Sequence, residues 1–380
     1  MMKIYLDHAA TTPVHPAVSA TYIKVSETVF GNPSSIHSFG RESRKWLDDS
    51  RKVLAQSINA EPSEIIFTSG GTEADNIAIF GSVTTMKDKG NHIITTNSEH
   101  HAILNPCKQL EMLGFKVSYL EVDENGQIST DQVKNALTDE TVLVSIMYGN
   151  NEVGTIQPIR EIGGLLKEHQ AVFHTDAVQA YGLIPLNVDD LGVDLLSVSA
   201  HKLNGPKGIG FLYQRKGLDT TPLLFGGEQE RKRRAGTENL PAIVAFSEAV
   251  SIAQQYMEQN TANYQRYMSI MTTVFDEQAV AYEVSAKCAE KLPHIVNISF
   301  PGTDIESLLV NLDMAGVAVS SGSACTAGSL DPSHVLTAMY GEGSSKLRNS
   351  VRFSFGLGLN DEMVLKAAKK TAEIVKRSVK

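Results

Sequence analysis

Between about residues 62 and 215, short runs rich in Ile and Val alternate with segments that have helical spacing. The segment EADNIAIFGSVTTMKDKG (73–90) is one such helical segment. Strand–helix alternation of this kind predicts an α/β fold in which a mostly parallel sheet is covered by helices on both faces. Six apolar runs, bounded by Gly, Asn or Asp, are predicted to be the strands: IIFTSG (65–70), HIITTN (92–97), VLVSIMYGN (142–150), AVFHTDAV (171–178), LLSVSAHK (195–202) and IGFLYQR (209–215).

The remainder of the chain predicts a long helix and a second, smaller unit. Helical spacing continues to about residue 278, and HIVNISF (294–300) and VRFSF (351–355) predict further strands. A last helix is expected after Asn360, a suitable N-cap, with an apolar face that contains Val364, Ala367, Thr371, Ile374 and Val375. We predict two domains: a large α/β domain over residues 16–256, and a smaller α+β domain made of residues 1–15 and 257–380.

Composition restricts the class of protein. The 380 residues carry a net charge of −9 and are 42% hydrophobic, which is typical of a soluble globular protein and not of a dedicated nucleic-acid binder. Because the N-terminus lacks a signal-peptide core and no stretch approaches the ~20 apolar residues of a membrane helix, we expect a cytoplasmic protein that binds no membrane. Its three cysteines, Cys107, Cys288 and Cys325, form no CxxC pair, so neither a disulfide framework nor a thiolate metal site is expected.

Lys202 lies just past the carboxyl end of a predicted strand, in SVSAHKLNGPKGIG (197–210). Open α/β sheets bind ligands at this edge. A lysine in that position is suited to form a Schiff base with pyridoxal phosphate. A solvated lysine at the start of a loop would have the same local sequence, so Lys202 alone does not decide between the two readings.

Two other strand ends favour the cofactor. In SGGTEADN (69–76), Gly71 and Thr72 open a helix whose amides can bind a phosphate, although an ordinary turn capped by Thr72 is the alternative. In HTDAVQA (174–180), Asp176 ends an apolar strand, where a carboxylate needs a cationic partner such as a pyridinium nitrogen. A helix N-cap is the alternative for Asp176, while Gln179 could reach the ring oxygen. Three such strand ends together predict one cofactor site.

The sequence resembles the pyridoxal-phosphate-dependent cysteine desulfurases of the NifS/IscS type, within the fold-type-I aminotransferases. The resemblance spans nearly the whole chain, and its motifs follow one another in family order. It implies a large domain with a mostly parallel seven-stranded sheet. The matching stretches are YLDHAATTP (5–13), FGNPSSIHSFG (30–40), FTSGGTEADN (67–76), SEHHA (98–102), NNEVG (150–154), HTDAVQ (174–179), SAHKLNGPKG (199–208), RRAGTEN (233–239), SSGSACTAG (320–328) and VRFSFG (351–356).

The resemblance also implies roles for individual residues. Lys202 would hold the cofactor, and His100 would stack on its ring and assist catalysis. Because Thr237 would reach the phosphate of a neighbouring subunit, a homodimer is expected. For the substrate, it implies Asn32, Asn151 and Arg352, whose guanidinium suits a carboxylate. The other cofactor-binding residues that it implies are Gly71, Thr72, Asn151, Asp176, Gln179, Ser199 and His201.

Cys325 is the expected sulfur acceptor. It lies among small residues in VSSGSACTAGS (319–329), a setting unlike that of a buried structural cysteine. A thiol on such a segment could attack the sulfur of L-cysteine, become a persulfide, release L-alanine and carry the sulfur outward. His100 is the expected base for this thiol, and Cys107 and Cys288 are expected to be structural.

Three alternatives stay open in the sequence. A selenocysteine lyase or a C–S lyase acting on cysteine conjugates would use the same cofactor but no attacking thiol. An assembly subunit without activity would not need Lys202, Asp176 and Arg352, and an ordinary aminotransferase would depend on a keto acid. The sulfur acceptor is expected to be an iron–sulfur scaffold or a tRNA-thiolation enzyme. His8 stands where many relatives have Asn, and it could add a titratable group near the site.

Overall fold

The structure, a computed structural model, describes residues 3–321 and 332–379. The strands are β1 Ile4–Tyr5, β2 Ile65–Thr68, β3 His92–Thr96, β4 Lys116–Leu120, β5 Thr141–Ser145, β6 Val172–Asp176, β7 Leu195–Ser199, β8 Gly210–Gln214, β9 Glu283–Val284, β10 Ile295–Ser299, β11 Val317–Ala318 and β12 Ser350–Ser354. The helices are α1 Pro16–Thr28, α2 Ser38–Gln56, α3 Gly71–Thr85, α4 His101–Met112, α5 Thr130–Ala136, α6 Ile159–Leu166, α7 Val188–Leu191, α8 Leu240–Glu277, α9 Ile305–Met314, α10 His334–Tyr340 and α11 Asp361–Ser378.

A seven-stranded sheet has the order β2-β8-β7-β6-β5-β3-β4. Its strands are parallel except β8, which is antiparallel to both of its neighbours. All six strands predicted from the apolar runs are present, which confirms the α/β class and the mostly parallel sheet. The seventh, β4, was missed because it lies at the sheet edge, where only Leu120 is buried and the other side chains are partly exposed.

Helices cover both faces of this sheet. Along β2, Ile65 and Phe67 pack into the apolar layer that contains residues of α2, α6 and α8. Ile66 points the other way, into the layer formed with α3 and α4. This alternation follows from the two-residue period of a strand. Cys107 of α4 is buried in the second layer, where burial raises the pKa of its thiol to about 12, as expected for a structural cysteine.

A three-stranded antiparallel sheet, β12-β10-β9, packs with the second half of α8, with α9 and with α11. The Asn360 side chain accepts a hydrogen bond from the Met363 amide at 2.9 Å, so the predicted N-cap of the last helix is confirmed. α8 runs without a break across the predicted domain boundary near residue 256. That boundary therefore remains a prediction.

The N-terminal segment links the two sheets. β1 pairs in parallel with β11, and the backbone amide of Ala9 donates to Ser354 Oγ of β12 at 2.9 Å. Thr12 then bonds through its amide to the carbonyl of His201, just beyond β7. Residues 4–12 thus run from the smaller sheet to the carboxyl end of the larger one. No helix in the described part of the chain has the length and apolar character needed to cross a membrane.

A buried ion pair anchors the segment before α8. Glu230 accepts hydrogen bonds from both terminal nitrogens of Arg51, at 2.6 and 2.8 Å, and from the Phe67 amide of β2 at 3.0 Å. Glu230, Arg231 and Lys232 all have left-handed backbone, with φ of 47°, 59° and 69°. Because such a conformation is unfavourable for these residue types, the ion pair must offset its cost.

Removing the Glu230 carboxylate should destabilise the fold strongly. Glu230→Ala leaves the Arg51 guanidinium buried without a counter-charge, so we expect the free energy of unfolding in urea to fall by about 3 kcal/mol. The matched control is Glu228→Ala, which removes the exposed partner of Lys232 and should change it by less than about 0.5 kcal/mol. Equal losses in the two variants would show that the pair does not anchor this segment.

Candidate active site

The carboxyl ends of β6 and β7 and the N-termini of α3 and α4 converge on a cavity of about 290 Å³. The sequence predicted the cofactor site at this edge of the sheet. Ten of the predicted site residues line the cavity. The lining residues are Ala9, Ala10, Gly71, Thr72, Asp75, His100, Met147, Gly149, Asn151, Asp176, Val178, Gln179, Ser199, His201, Lys202 and Arg352.

Lys202 enters the cavity from the short 3-10 turn that follows β7. Its Nζ donates hydrogen bonds to the carbonyls of Ala9 and Ala10, at 2.5 and 2.9 Å. These carbonyls belong to the N-terminal segment, so that segment fixes the position of the amine. Lys202 is therefore held at the strand end by backbone groups, unlike the solvated loop lysine that the sequence left open.

Asp176 ends β6 and is buried. Its carboxylate accepts a hydrogen bond from the Val178 amide at 2.9 Å. Burial raises the pKa of Asp176 to about 6, although the Val178 hydrogen bond and the positive charge of Lys202 oppose that rise. Near neutral pH this carboxylate is thus a buried negative charge facing the cavity.

Asp75 is a second buried carboxyl in the same cavity, which the sequence reading did not single out. Burial and the neighbouring Asp176 raise the pKa of Asp75 well above its usual range, so Asp75 stays protonated while Asp176 carries the charge. The motif SGGTEADN contains Asp75, but helical spacing alone cannot tell which of its acids is buried.

His174 lies beneath these carboxyls in a chain of buried polar groups. Its ring bonds to Ser145 Oγ at 2.8 Å and to Ser197 Oγ at 3.0 Å, and its Nε2 is 3.6 Å from Asp75 Oδ1. Burial lowers the pKa of His174 to about 3, so the ring is neutral.

His100 is the N-cap of α4, and its Nδ1 accepts a hydrogen bond from the Ala102 amide at 3.1 Å. Burial, with the nearby charges of Lys202, His101 and His334, lowers the pKa of His100 to about 4. The ring is therefore neutral at pH 7. Since Nδ1 accepts, the neutral ring carries its proton on Nε2.

A group of small and hydroxyl-bearing residues forms another wall of the cavity. Gly71 opens α3, and a Cβ there would lie 2.7 Å from Val178 Cγ2, so only glycine leaves room. The N-cap of α3 is Gly70, so the alternative reading of Thr72 as the cap is wrong. Ser199 ends β7, and His201 Nδ1 lies 3.1 Å from the Thr11 hydroxyl.

Arg352 projects from β12, and its side chain is only 3% exposed. One terminal nitrogen is 2.7 Å from Asp7 Oδ1, and the other donates to the Asn151 carbonyl at 2.9 Å. Among the described residues, Arg352 Nε has no hydrogen-bond partner. A buried guanidinium with a spare donor is suited to bind a carboxylate. Arg352 is therefore not a surface arginine, although arginines at the start of a strand are often exposed.

The remaining three candidates do not line this cavity. Thr237 is exposed, in the segment before α8, and Asn32 is exposed, with its Oδ1 accepting from the Ser34 amide at 2.8 Å. Cys325 lies outside the described residues. Their roles, like those of the ten lining residues, remain predictions. In the part of the chain that the structure describes, no group of three or more His, Cys, Asp or Glu side chains is arranged to hold a metal ion.

The cavity fits pyridoxal phosphate. Lys202 supplies the amine, the amide end of α3 faces the same space, and buried Asp176 supplies a counter-charge for a protonated ring nitrogen. Gln179 lies beside Asp176 and is fixed by a hydrogen bond from its Nε2 to the Ala9 carbonyl at 2.9 Å. These groups are thus distributed as a phosphate, a protonated ring nitrogen and a ring oxygen require.

The family model for aminotransferase class-V matches residues 4–366. The chain belongs to this family. The predicted resemblance to fold-type-I aminotransferases is therefore confirmed, and with it the cofactor, since class-V aminotransferases depend on pyridoxal phosphate.

Two similar relatives are named as desulfurases. The putative cysteine desulfurase IscS 1 of Bacillus subtilis is 59% identical over 99% of this chain and 100% of its own length. The cysteine desulfurase IscS of Dictyoglomus turgidum is 46% identical, over 93% of this chain and 90% of its own. The resemblance to the NifS/IscS group is therefore confirmed along the whole chain.

Solved structures are similar over nearly the same length of the chain. A NifS-like protein superposes with a TM-score of 0.92 at 34% identity, covering 99% of this chain and 100% of its own. SspA, solved in complex with cysteine, superposes with a TM-score of 0.82 at 35% identity, covering 93% and 99%. The two-sheet arrangement described above is thus shared with this group.

Glu99, next to His100, should make stability depend on pH. It is fully buried, and burial raises its pKa from 4.5 to about 8. Since the folded pKa lies above the unfolded one, the stability due to protonated Glu99 is complete below about pH 4.5 and is lost as pH rises through 8.

Glu99→Gln cannot ionise. From pH 5 to pH 8, its free energy of unfolding should therefore rise relative to the unmodified chain by roughly 3 to 4 kcal/mol. The exposed control Glu168→Gln should show no such trend in urea denaturation. A Glu99→Gln difference that is constant from pH 5 to 8 would contradict a protonated Glu99.

Proposed function

We propose that the chain is a pyridoxal-phosphate-dependent cysteine desulfurase that converts L-cysteine to L-alanine and transfers the sulfur to Cys325. The observation that carries this proposal is the convergence of Lys202, buried Asp176 and buried Arg352 on one cavity. Relatives that match 99% and 93% of the chain carry the same activity in their names. The selenocysteine lyase and C–S lyase alternatives are not favoured, and neither is an inactive assembly subunit.

Each side of the cavity would hold one part of the cofactor. Lys202 Nζ would bind it covalently, and Asp176 would pair with its ring nitrogen. When bound, pyridoxal phosphate withdraws electrons from an amino-acid substrate and so weakens the bonds at its carbons. Gln179 would contact the ring oxygen and His100 the ring face. The residues proposed for the phosphate are Gly71, Thr72, Ser199 and His201.

Arg352 would orient the substrate. Its Nε donor is buried and has no partner among the described residues, while Asp7 and the Asn151 carbonyl hold the rest of the guanidinium. A cysteine carboxylate bound there would be fixed relative to Lys202. The side chain of Asn151 would assist, and so would that of Asn32.

Lys202 would also move a proton. Once its amine is released, Nζ is the group that would remove the proton from the substrate Cα. The Ala9 and Ala10 carbonyls, which accept from Nζ, would return it to the same position after each turnover. That His100 acts as a base stays a prediction. Its neutral ring carries the proton on Nε2 and its pKa is low, and we propose that it donates a hydrogen bond from Nε2.

Cys325 would take the sulfur. Its thiolate would attack the substrate sulfur, forming an S–S bond, while the electron pair of the broken C–S bond stays with the substrate carbon. Protonation of that carbon then yields alanine, and the enzyme retains a persulfide on Cys325. An iron–sulfur scaffold or a tRNA-thiolation enzyme would accept this sulfur in the cytoplasm.

A homodimer would complete the site. Thr237 is exposed and outside the cavity, as a residue that reaches the phosphate of a neighbouring subunit would be. The Arg51–Glu230 pair fixes the segment that leads to Thr237.

Cys325→Ala should separate cofactor binding from sulfur transfer. We expect the absorbance of the lysine-bound cofactor to be unchanged and alanine formation from cysteine to fall to background, because the attacking thiol is gone. Cys288→Ala, which removes an exposed thiol, is the matched control and should retain activity. Normal turnover in Cys325→Ala would refute the proposed role.

Arg352→Lys should weaken substrate binding specifically. A lysine keeps the charge but loses the paired donors, so the KM for cysteine should rise by about tenfold or more with the cofactor absorbance retained. Arg348→Lys changes an exposed arginine of the same region and should leave the KM unaltered. Equal KM values for the two variants would argue against carboxylate binding by Arg352.

A further inference from the structure

The guanidinium of Arg352, which the function proposed above assigns to the substrate carboxylate, already has a carboxylate partner. Its Nη2 lies 2.7 Å from Asp7 Oδ1, and the two side chains are 3% and 18% exposed. In the described part of the chain, no other carboxylate lies within ion-pair distance of this guanidinium. A ligand carboxylate that binds at Arg352 must therefore either displace Asp7 or share the guanidinium with it.

The backbone holds Asp7 in place. On one side of it, the carbonyl of Leu6 accepts a hydrogen bond from the Ser354 amide at 2.8 Å, and on the other the Ala9 amide donates to Ser354 Oγ at 2.9 Å. Asp7 itself forms a parallel bridge with Ser354, two residues beyond Arg352 on β12. Because both members of the ion pair are fixed through the same strand, a ligand would join the pair and not replace Asp7.

Arg352 has donors left for such a third partner. Its Nη2 serves Asp7, its Nη1 donates to the Asn151 carbonyl at 2.9 Å, and its Nε has no hydrogen-bond partner among the described residues. A guanidinium has more N–H groups than these two contacts use. Since Arg352 also lines the active-site cavity, a carboxylate in that cavity can accept hydrogen bonds from it while Asp7 stays bound.

Asp7 nevertheless makes the site less attractive to negative charge. A ligand carboxylate is attracted by the charge of Arg352 and repelled by that of Asp7, which is bound to the same guanidinium. Salt screens such an effect weakly, because both side chains are largely buried. Lys202 is the one other Lys or Arg among the described lining residues, and its amine is the group proposed to hold the cofactor. Hydrogen bonds, and not net charge, are then left to bind the carboxylate.

We propose that Asp7 is a specificity-determining residue that keeps the affinity of Arg352 for a carboxylate alone low. Tight binding then requires a ligand that also has an amino group to react at the cofactor. An amino acid meets this requirement, and a simple carboxylic acid does not. The inference rests on the proposed function, because it takes Arg352 as the substrate site.

Isothermal titration calorimetry of the holoenzyme with two ligands that lack an amino group tests the proposal. 3-Mercaptopropionate carries a carboxylate, and 3-mercaptopropionamide is its neutral analogue. Asp7→Asn keeps the shape of the side chain and removes its charge, so we expect the Kd of the acid to fall by about tenfold and that of the amide to change by less than about twofold. Asp361→Asn, which removes the charge from the exposed pair with Arg266, is the matched control and should change neither Kd.

Damage to the fold cannot imitate this result, because it would raise the Kd of both ligands. A second measurement needs no variant: in the unmodified holoenzyme, the acid should bind less than about tenfold more tightly than the amide, whereas an uncompensated guanidinium would prefer the acid by more than that.

The role of Asp7 is overturned if the Kd of the acid is unchanged or raised in Asp7→Asn, if the acid does not bind to that variant, or if the amide gains equally. A preference for the acid above about tenfold in the unmodified chain also overturns it. Arg352→Lys separates this failure from failure of the proposed function. If Arg352→Lys binds the acid as tightly as the unmodified chain does, Arg352 is not the substrate site and both proposals fall. If it binds the acid more weakly while Asp7→Asn shows no gain, only the role of Asp7 is wrong.

Discussion

The hydrogen bonds from Lys202 Nζ to the Ala9 and Ala10 carbonyls join the two halves of the molecule at the reactive position. Lys202 extends the large sheet beyond β7, whereas Ala9 belongs to a segment tied to the smaller sheet through β1 and Ser354. An ammonium needs acceptors when it leaves water, and these two carbonyls supply them. The same segment contributes Asp7, which fixes Arg352 from β12. The separation between Lys202 and Arg352 therefore depends on how the N-terminal segment passes from the smaller sheet to the larger one.

Burial then decides which groups near Lys202 carry charge. Asp176 and Arg352 face the cavity as an anion and a cation, while Asp75 and Glu99 are kept protonated and His100 and His174 neutral. Each shift has desolvation as its largest cause. A site with few charges and fixed protons can orient an amino acid while the Arg352–Asp7 pair holds the guanidinium in place.

Much of the fold and part of the candidate site could be predicted from the sequence. The six buried strands have strong two-residue or continuous apolar patterns, and the residues that follow them, such as Asp176 and Lys202, must meet at one sheet edge. Edge strand β4 has no such pattern because only Leu120 is buried. Asp75 and His174 lie within motifs, but their burial near the cavity was not predicted. Burial of a polar side chain depends on packing between elements that are far apart in sequence. Asn32 and Thr237 lie outside the cavity of one chain, and their assignments rest on the resemblance.

The surroundings of His8 show why this residue of the N-terminal motif was hard to interpret from sequence. In YLDHAATTP, the sequence placed His8 next to Asp7 without indicating which way the ring points. Its environment is made by His294 and Gly356, which lie more than 280 residues further along the chain. The ring lies edge-on to Tyr5 and against Gly356. Local sequence cannot supply that information.

An amino acid bound through Lys202 and Arg352 would give its sulfur to Cys325. Single-turnover reaction of the holoenzyme with ³⁵S-labelled cysteine, followed by alkylation and peptide mapping, measures this transfer directly. We expect label on the Cys325 peptide in step with alanine formation. Alanine formed without label on that peptide, or label confined to Cys107 or Cys288, would contradict it.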